Sequence, residues 1–322
     1  MATTDRSTGT TARRPSGARE ERRRAAAAER AEAARRAARR RAQQRWAGAG
    51  AAALAVAAVT AFFAFRGGGD GGQDAAAPVV GGDLHTLMAV DDALYVGGHA
   101  AVAVFRDGGE QWQQVPSLEN ADAMGWARTS DALLAGGHPG LFRSSDGGAS
   151  FTQLTGSGAV PDVHALGAAG DTVYLGSPQA GFMVSEDGGD TWETRDAEAG
   201  RSFMGTILVD PADPQHLIAP DMAGGLVASS DGGRTWTPLG GPEGAMAAAW
   251  DPTDIARIVA VGMSGSAIST DAGRTWEPIP VPSDTSAVAF STDGKTIYTA
   301  ALDGEVAVLS ASTDGGRTWN SL

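Results

Sequence analysis

Beyond residue 82 the chain alternates short apolar runs with clusters of Gly, Asp and Ser. His85-Thr86-Leu87-Met88-Ala89-Val90 predicts a strand, and Asp91-Asp92 predicts a turn. Ala93-Leu94-Tyr95-Val96 predicts a second strand that ends at Gly97-Gly98-His99. Ala101 to Arg106 reads as a third and Gln111 to Val115 as a fourth. Four short strands in about 40 residues is the size of one propeller blade. Further units begin near Asp122, Asp162, Ser202, Gly244 and Ser286, so the pattern predicts an all-β, six-bladed propeller over residues 80–322. The outer strand of the last unit is short. Pro78-Val79-Val80 is expected to pair beside it and help close the ring.

A second regularity lies between the third and fourth strands. Ser229-Ser230-Asp231-Gly232-Gly233-Arg234-Thr235-Trp236 reads as Ser-x-Asp-x-Gly-x-Thr-Trp, and it recurs at Ser185–Trp192, Ser269–Trp276 and Ser312–Trp319. Ser144–Phe151 is a near copy, and Phe105–Trp112 keeps only Asp107, Gly109 and the Trp. The closing aromatics are spaced by 39, 41, 44, 40 and 43 residues. The motif suits a hairpin turn. Gly supplies a positive φ, the Asp and Ser/Thr side chains satisfy turn N–H groups, and the aromatic ring can fill the space between neighbouring sheets. It resembles the Asp-box, or BNR, repeat of sialidases, sortilin-type receptors, some glycoside hydrolases and a photosystem II assembly factor. On that resemblance Asp107, Asp146, Asp187, Asp231, Asp271 and Asp314 are structural.

The N-terminal quarter differs in composition. Residues 1–45 hold 14 Arg and no Lys against five acidic residues, and read as a largely disordered basic tail. Residues 46–65 run for 20 residues without a charge, the length of a membrane-spanning helix, and Arg66 closes them. The Arg excess lies upstream, which predicts a single-pass anchor over 46–66 with a cytoplasmic N-terminus and an extracellular propeller. The apolar run exceeds the usual length of a signal-peptide core, and no small-residue cleavage site follows directly. Residues 67–79 read as a flexible linker. Residues 67–322 carry ten basic and 33 acidic side chains, which argues against nucleic acid as a partner and favours cations. With no Cys in the chain, disulfides and thiolate metal sites are excluded.

Aligning the six units brings particular side chains into register. The inner strand begins at His85, Met124, His164, Met204, Met246 and Val288. The second strand ends at His99, His138, Pro178, Met222, Met263 and Leu302. Asp83, Asp122, Asp162, Ser202, Gly244 and Ser286 precede the inner set by two residues and so face the same way. Connectivity puts these rows near the axis on one face, with the Asp turns on the other. Four of the five His and five of the eight Met share that face, which points to a transition-metal site. Imidazole suits Cu, Zn, Fe and Ni, and thioether suits Cu(I). His with Met and without Cys favours a copper ion, with His85, His99, His138, His164, Met124, Met204, Met222, Met246 and Met263 as candidate donors. The Asp side chains would fix imidazole tautomers or make the mouth acidic. Met also fills irregular cores, and single His residues often bind backbone. That explains one or two of these positions, and the shared register less well.

The alternative is glycoside hydrolysis or glycan binding, with paired carboxylates drawn from Asp83, Asp122, Asp162 and Asp221. A sialidase site would need clustered Arg and a Tyr nucleophile. Arg234, Arg274 and Arg317 instead lie in the Asp turns, and Tyr95, Tyr174 and Tyr298 share one second-strand position expected in the core. The Phe/Tyr-Arg-Ile-Pro motif of sialidases is absent. Asp83-Leu84-His85, Met124-Gly125-Trp126, Gly136-Gly137-His138-Pro139, Asp162-Val163-His164-Ala165-Leu166 and Met183-Val184-Ser185-Glu186-Asp187-Gly188 together resemble a family of exported bacterial propellers labelled glycosyl hydrolase. The usual His-x-His-Gly of that family's first strand is here Asp83-Leu84-His85-Thr86, one His fewer. A protein-interaction scaffold is the third reading.

Overall fold

A computed structural model of the 322-residue chain describes residues 77–106 and 111–322. The expected tail, the anchor, residues 67–76 of the linker and Asp107 lie outside the described residues. Among the described residues no helix is long and apolar enough to cross a membrane.

The apolar runs form six small sheets. Blade one holds β1 (Leu84–Val90), β2 (Ala93–Gly98), β3 (Val102–Arg106) and β4 (Gln113–Gln114). Blade two holds β5 (Asp122–Arg128), β6 (Leu133–His138), β7 (Leu141–Ser144) and β8 (Thr152–Gln153). Blade three holds β9 (Ala165–Ala169), β10 (Thr172–Ser177), β11 (Gly181–Ser185) and β12 (Glu193–Asp196). In blade four the inner strand is split. Its first part, β13 (Gly205–Thr206), pairs in parallel with β9. Its second, β14 (Leu208–Val209), leads into β15 (Leu217–Pro220), β16 (Leu226–Ser229) and β17 (Thr237–Gly240). Blade five holds β18 (Ala245–Asp251), β19 (Asp254–Gly262), β20 (Gly265–Ser269) and β21 (Glu277–Pro278). Blade six holds β22 (Thr285–Phe290), β23 (Ile297–Asp303), β24 (Val306–Ser312) and β25 (Asn320–Ser321).

A blade covered on both faces has no polar side, so β2 is buried at every position. The core is accordingly divided among the six blade interfaces. Tyr95 and Trp126 meet Phe151 between blades one and two, while Phe182, Phe203 and Trp236 meet between three and four. The ring is closed by the residues that precede β1. Val79 bridges Val306, Ala307 donates to the Pro78 carbonyl at 2.8 Å, and fully buried Val80 donates to Glu305 at 2.9 Å. These bonds lengthen the outer edge of blade six beyond the two-residue β25.

The Ser-x-Asp-x-Gly-x-Thr turns close on themselves. Ser229 Oγ accepts the Gly233 N–H at 2.9 Å and donates to Asp231 Oδ1 at 2.8 Å. Asp231 Oδ1 accepts the Thr235 N–H at 2.9 Å, and Asp231 Oδ2 accepts its hydroxyl at 2.7 Å. Asp146, Asp187, Asp271 and Asp314 hold their turns the same way. Gly233 has a φ of +81°, and a Cβ there would overlap the Phe182 ring of the neighbouring blade. Gly188 N–H donates to the Asp171 carbonyl at the β9–β10 turn, so the Asp turns lie at the opposite end of the blade from the start of β9.

Candidate metal site

The start of the inner strand and the end of the second strand are paired directly, Leu84 with Gly98 and Asp122 with His138. His85 sits in a β-bulge between Leu84 and Thr86, as do Met124 in β5 and Met246 in β18. A bulge re-aims one side chain without breaking the ladder. Blade six departs from the expected register, because its bulge falls at Ser286, between Thr285 and Ala287. Ser286 therefore takes the place assigned to Val288, which is buried within the strand. Gly98 and Gly137, each one residue before a His, press against the carbonyls of Asp83 and Asp122. A Cβ at either position would overlap that oxygen. The two Gly-Gly-His sequences thus let the second strand carry His99 and His138 close to the inner strand.

These elements converge around two carboxylates. His85 Nε2 lies 3.1 Å from Asp122 Oδ1, and His99 Nδ1 lies 3.4 Å from Asp122 Oδ2. His138 spans both acids, with Nδ1 3.4 Å from Asp122 Oδ2 and Nε2 2.7 Å from Asp162 Oδ1. His164 Nε2 lies 2.9 Å from the same Asp162 oxygen, and its ring stands edge-on to that of His138. Gln179 Nε2 donates to Asp162 Oδ2 at 3.3 Å. Both Asp side chains are nine-tenths buried, whereas His99 and His138 remain open to solvent. Despite the short distances, Asp122 Oδ1, Asp162 Oδ1 and His164 Nε2 have no hydrogen-bond partner. The approach is close but off the N–H direction, so these buried atoms stay without a hydrogen bond.

Burial pushes the His164 imidazole below its usual range, favouring the neutral ring. Burial would raise the Asp122 carboxyl, but the adjoining His85, His138 and His99 outweigh it and hold the group below the usual range. A neutral imidazole and an ionised carboxylate are the states that ligate a cation.

The four imidazoles do not converge on one point. They divide into His85 and His99 around Asp122, and His138 and His164 around Asp162. Of the candidate thioethers, Met124 is buried, Met246 packs against the core between blades five and six, and Met222 and Met263 are exposed by 39% and 71%. Met204 is half-buried just before β13. Asp83 is exposed, and Asp221 accepts the Ser202 hydroxyl at 2.6 Å. Asp122 and Asp162 approach opposite nitrogens of one imidazole, so His138 lies between the two carboxylates. Tyr95, Tyr174 and Tyr298 are all buried. Gln179 was not anticipated. Its only sequence signal is its place beside Pro178, at the end of the second strand of blade three.

Fold and site together define a six-bladed β-propeller with a His/Asp cluster at one end of its inner strands. No protein-family model and no curated protein matches the chain. Among solved structures it is similar to the GH74 xyloglucanase from Xanthomonas campestris, at 18% identity over 77% of this chain, with a TM-score of 0.53. The match covers 46% of the xyloglucanase, about half its length. The chain is also similar to YCF48 from Cyanidioschyzon merolae, at 18% identity, covering 77% of this chain and 86% of that one, with a TM-score of 0.52. U3-55K aligns at 12% identity over 78% of this chain and 85% of its own, with a TM-score of 0.51. At these identities the likeness establishes the fold alone.

Proposed function

We propose that the axial face binds a transition metal through His and Asp side chains. The observation that carries this is the pair of buried oxygens, Asp122 Oδ1 and Asp162 Oδ1, lying 2.7–3.1 Å from imidazole nitrogens with no hydrogen bond. Two ligands each about 2.0–2.2 Å from one ion lie about 2.8–3.6 Å apart at octahedral to tetrahedral angles; the 3.1 and 2.9 Å contacts fall in that range and the 2.7 Å contact just below it. Buried carboxylates also need a compensating charge, which a cation supplies. Imidazole with carboxylate suits Zn(II), Cu(II), Fe, Ni and Mn. Copper, favoured by the His/Met composition, enters this reading as Cu(II), since thioethers would select Cu(I). The uncharged 46–65 segment is proposed as the anchor that holds the propeller outside the membrane.

Titration calorimetry of the purified protein with Cu(II) and Zn(II) tests the metal reading. Tight binding by the wild type and its loss in Asp122→Asn/Asp162→Asn are the expected results. A folded wild-type protein that binds neither ion would refute it.

A further inference from the structure

We infer that the cluster is built for two ions and that the two positions communicate through Asp122 and His138; this rests on the metal reading above. His85, His99 and Asp122 offer donor atoms that all lie within 4.8 Å of one another. His138, Asp162 and His164 form a second set by the same measure. His138 approaches Asp122 at 3.4 Å, yet it groups with the second set and not with His85 and His99. Each set has two imidazoles and one carboxylate, and each straddles a blade interface. The first joins blades one and two, and the second joins blades two and three. The repeat supplies an equivalent His/Asp pair at two successive interfaces, His99 with Asp122 and His138 with Asp162, and the third donor comes from the preceding blade in the first set (His85) and from the following blade in the second (His164). Donors then run out, because Pro178, Ser202 and Met204 occupy the corresponding positions at the next one.

A second, independent sign is that each set contains its own unpartnered oxygen on a nine-tenths-buried carboxylate, Asp122 Oδ1 in one and Asp162 Oδ1 in the other. One ion would leave one of these buried oxygens without a partner. The link between the sets is the His138 ring. Nε2 faces the second set, while Nδ1 is within hydrogen-bond reach of Asp122 Oδ2. A ligating His whose other nitrogen donates to a carboxylate is fixed in tautomer and orientation, and removal of such a partner weakens metal affinity about 10–100-fold. Asp122 therefore serves as a ligand for the first ion and a positioning residue for the second. Three protein donors per ion leave coordination positions free, and the exposure of His99 and His138 opens them to solvent. Those positions take water or a small anion.

The test is to count Zn(II) bound to the full-length chain in detergent by native mass spectrometry, with affinities from competition against a chelator. Thermal melts establish that each variant folds, with His85→Gln and His164→Gln replacing any alanine variant that does not. We expect two ions per wild-type chain and one in each of His85→Ala and His164→Ala. Asp122→Asn should also retain one, held about 10–100-fold more weakly than the ion left in His85→Ala. A single ion in the wild type, or loss of all binding in either His variant, would overturn the two-site inference and leave the metal reading standing. An ion held as tightly in Asp122→Asn as in His85→Ala would overturn the coupling. No Zn(II) bound by the folded wild type would overturn the two-site inference, and the metal reading falls with it if Cu(II) is not bound either.

Discussion

At the scale of single residues, the repeated turns and the His/Asp cluster use carboxylates in different ways. In the turns both carboxylate oxygens are answered locally. Asp231 accepts from Thr235 and Ser229, and Ser229 Oγ in turn accepts the Gly233 N–H. In the cluster, buried Asp122 Oδ1 and Asp162 Oδ1 lie close to imidazole nitrogens with no hydrogen bond. Because Ser229 is buried, removing its hydroxyl strands the Gly233 N–H. Ser229→Ala is expected to lose about 1–3 kcal/mol of stability by chemical denaturation, with metal binding unchanged. A loss below about 0.5 kcal/mol would mean that water replaces the bond.

At the scale of elements, each blade is a half-stable unit whose apolar faces are completed by its neighbours, so closure of the ring matters more than any one strand. Closure depends on Pro78–Val80 running beside β24. Val80 is fully buried among residues of blades one and six, whereas its neighbour Val79 is 44% exposed. Val80→Ala should therefore cost about 2 kcal/mol, from two buried methyl groups and the gap they leave. Val79→Ala should stay within about 0.5 kcal/mol of wild type. Denaturant unfolding of the two variants separates a closing strand from a passive lead-in. Equal effects would contradict this role for Val80.

At the scale of the whole molecule, the acidic propeller depends on carboxylates that stay ionised at the Asp turns. The Thr191 hydroxyl, with Ser185 and the turn amides, holds Asp187 at about 2, and Thr235 does the same for Asp231. Ser150 and Thr318 hold Asp146 and Asp314 lower still. An unfolded Asp titrates near 3.9, so these groups bind protons more readily when unfolded. Their stabilisation is complete above about pH 4 and is lost as the pH falls towards about 2. A thermal-melt series should show Tm falling steeply between pH 4 and pH 2, and less steeply in Asp231→Asn. A flat profile across that window would show that the turns do not act through their charge.

Much of this was legible in the chain itself. The six units, the strand order and the turn geometry follow from contacts within a few residues. Alternating apolar runs set the strands, and Ser, Asp, Gly and Thr at fixed offsets set the turns through bonds spanning no more than four residues. The site was legible only as rows of His, Met and Asp in one register. Where the rows meet was decided by packing between blades. His85 and Asp122 touch across one interface, and His138 and Asp162 across the next, so the four imidazoles of one register are divided into two sets of donors. The bulge at Ser286, the contact of Gln179 with Asp162 and the exposure of Met263 were likewise visible only in the folded chain. Local sequence specifies each blade because its bonds are local. Only the closed ring determines which side chains of different blades share a point in space.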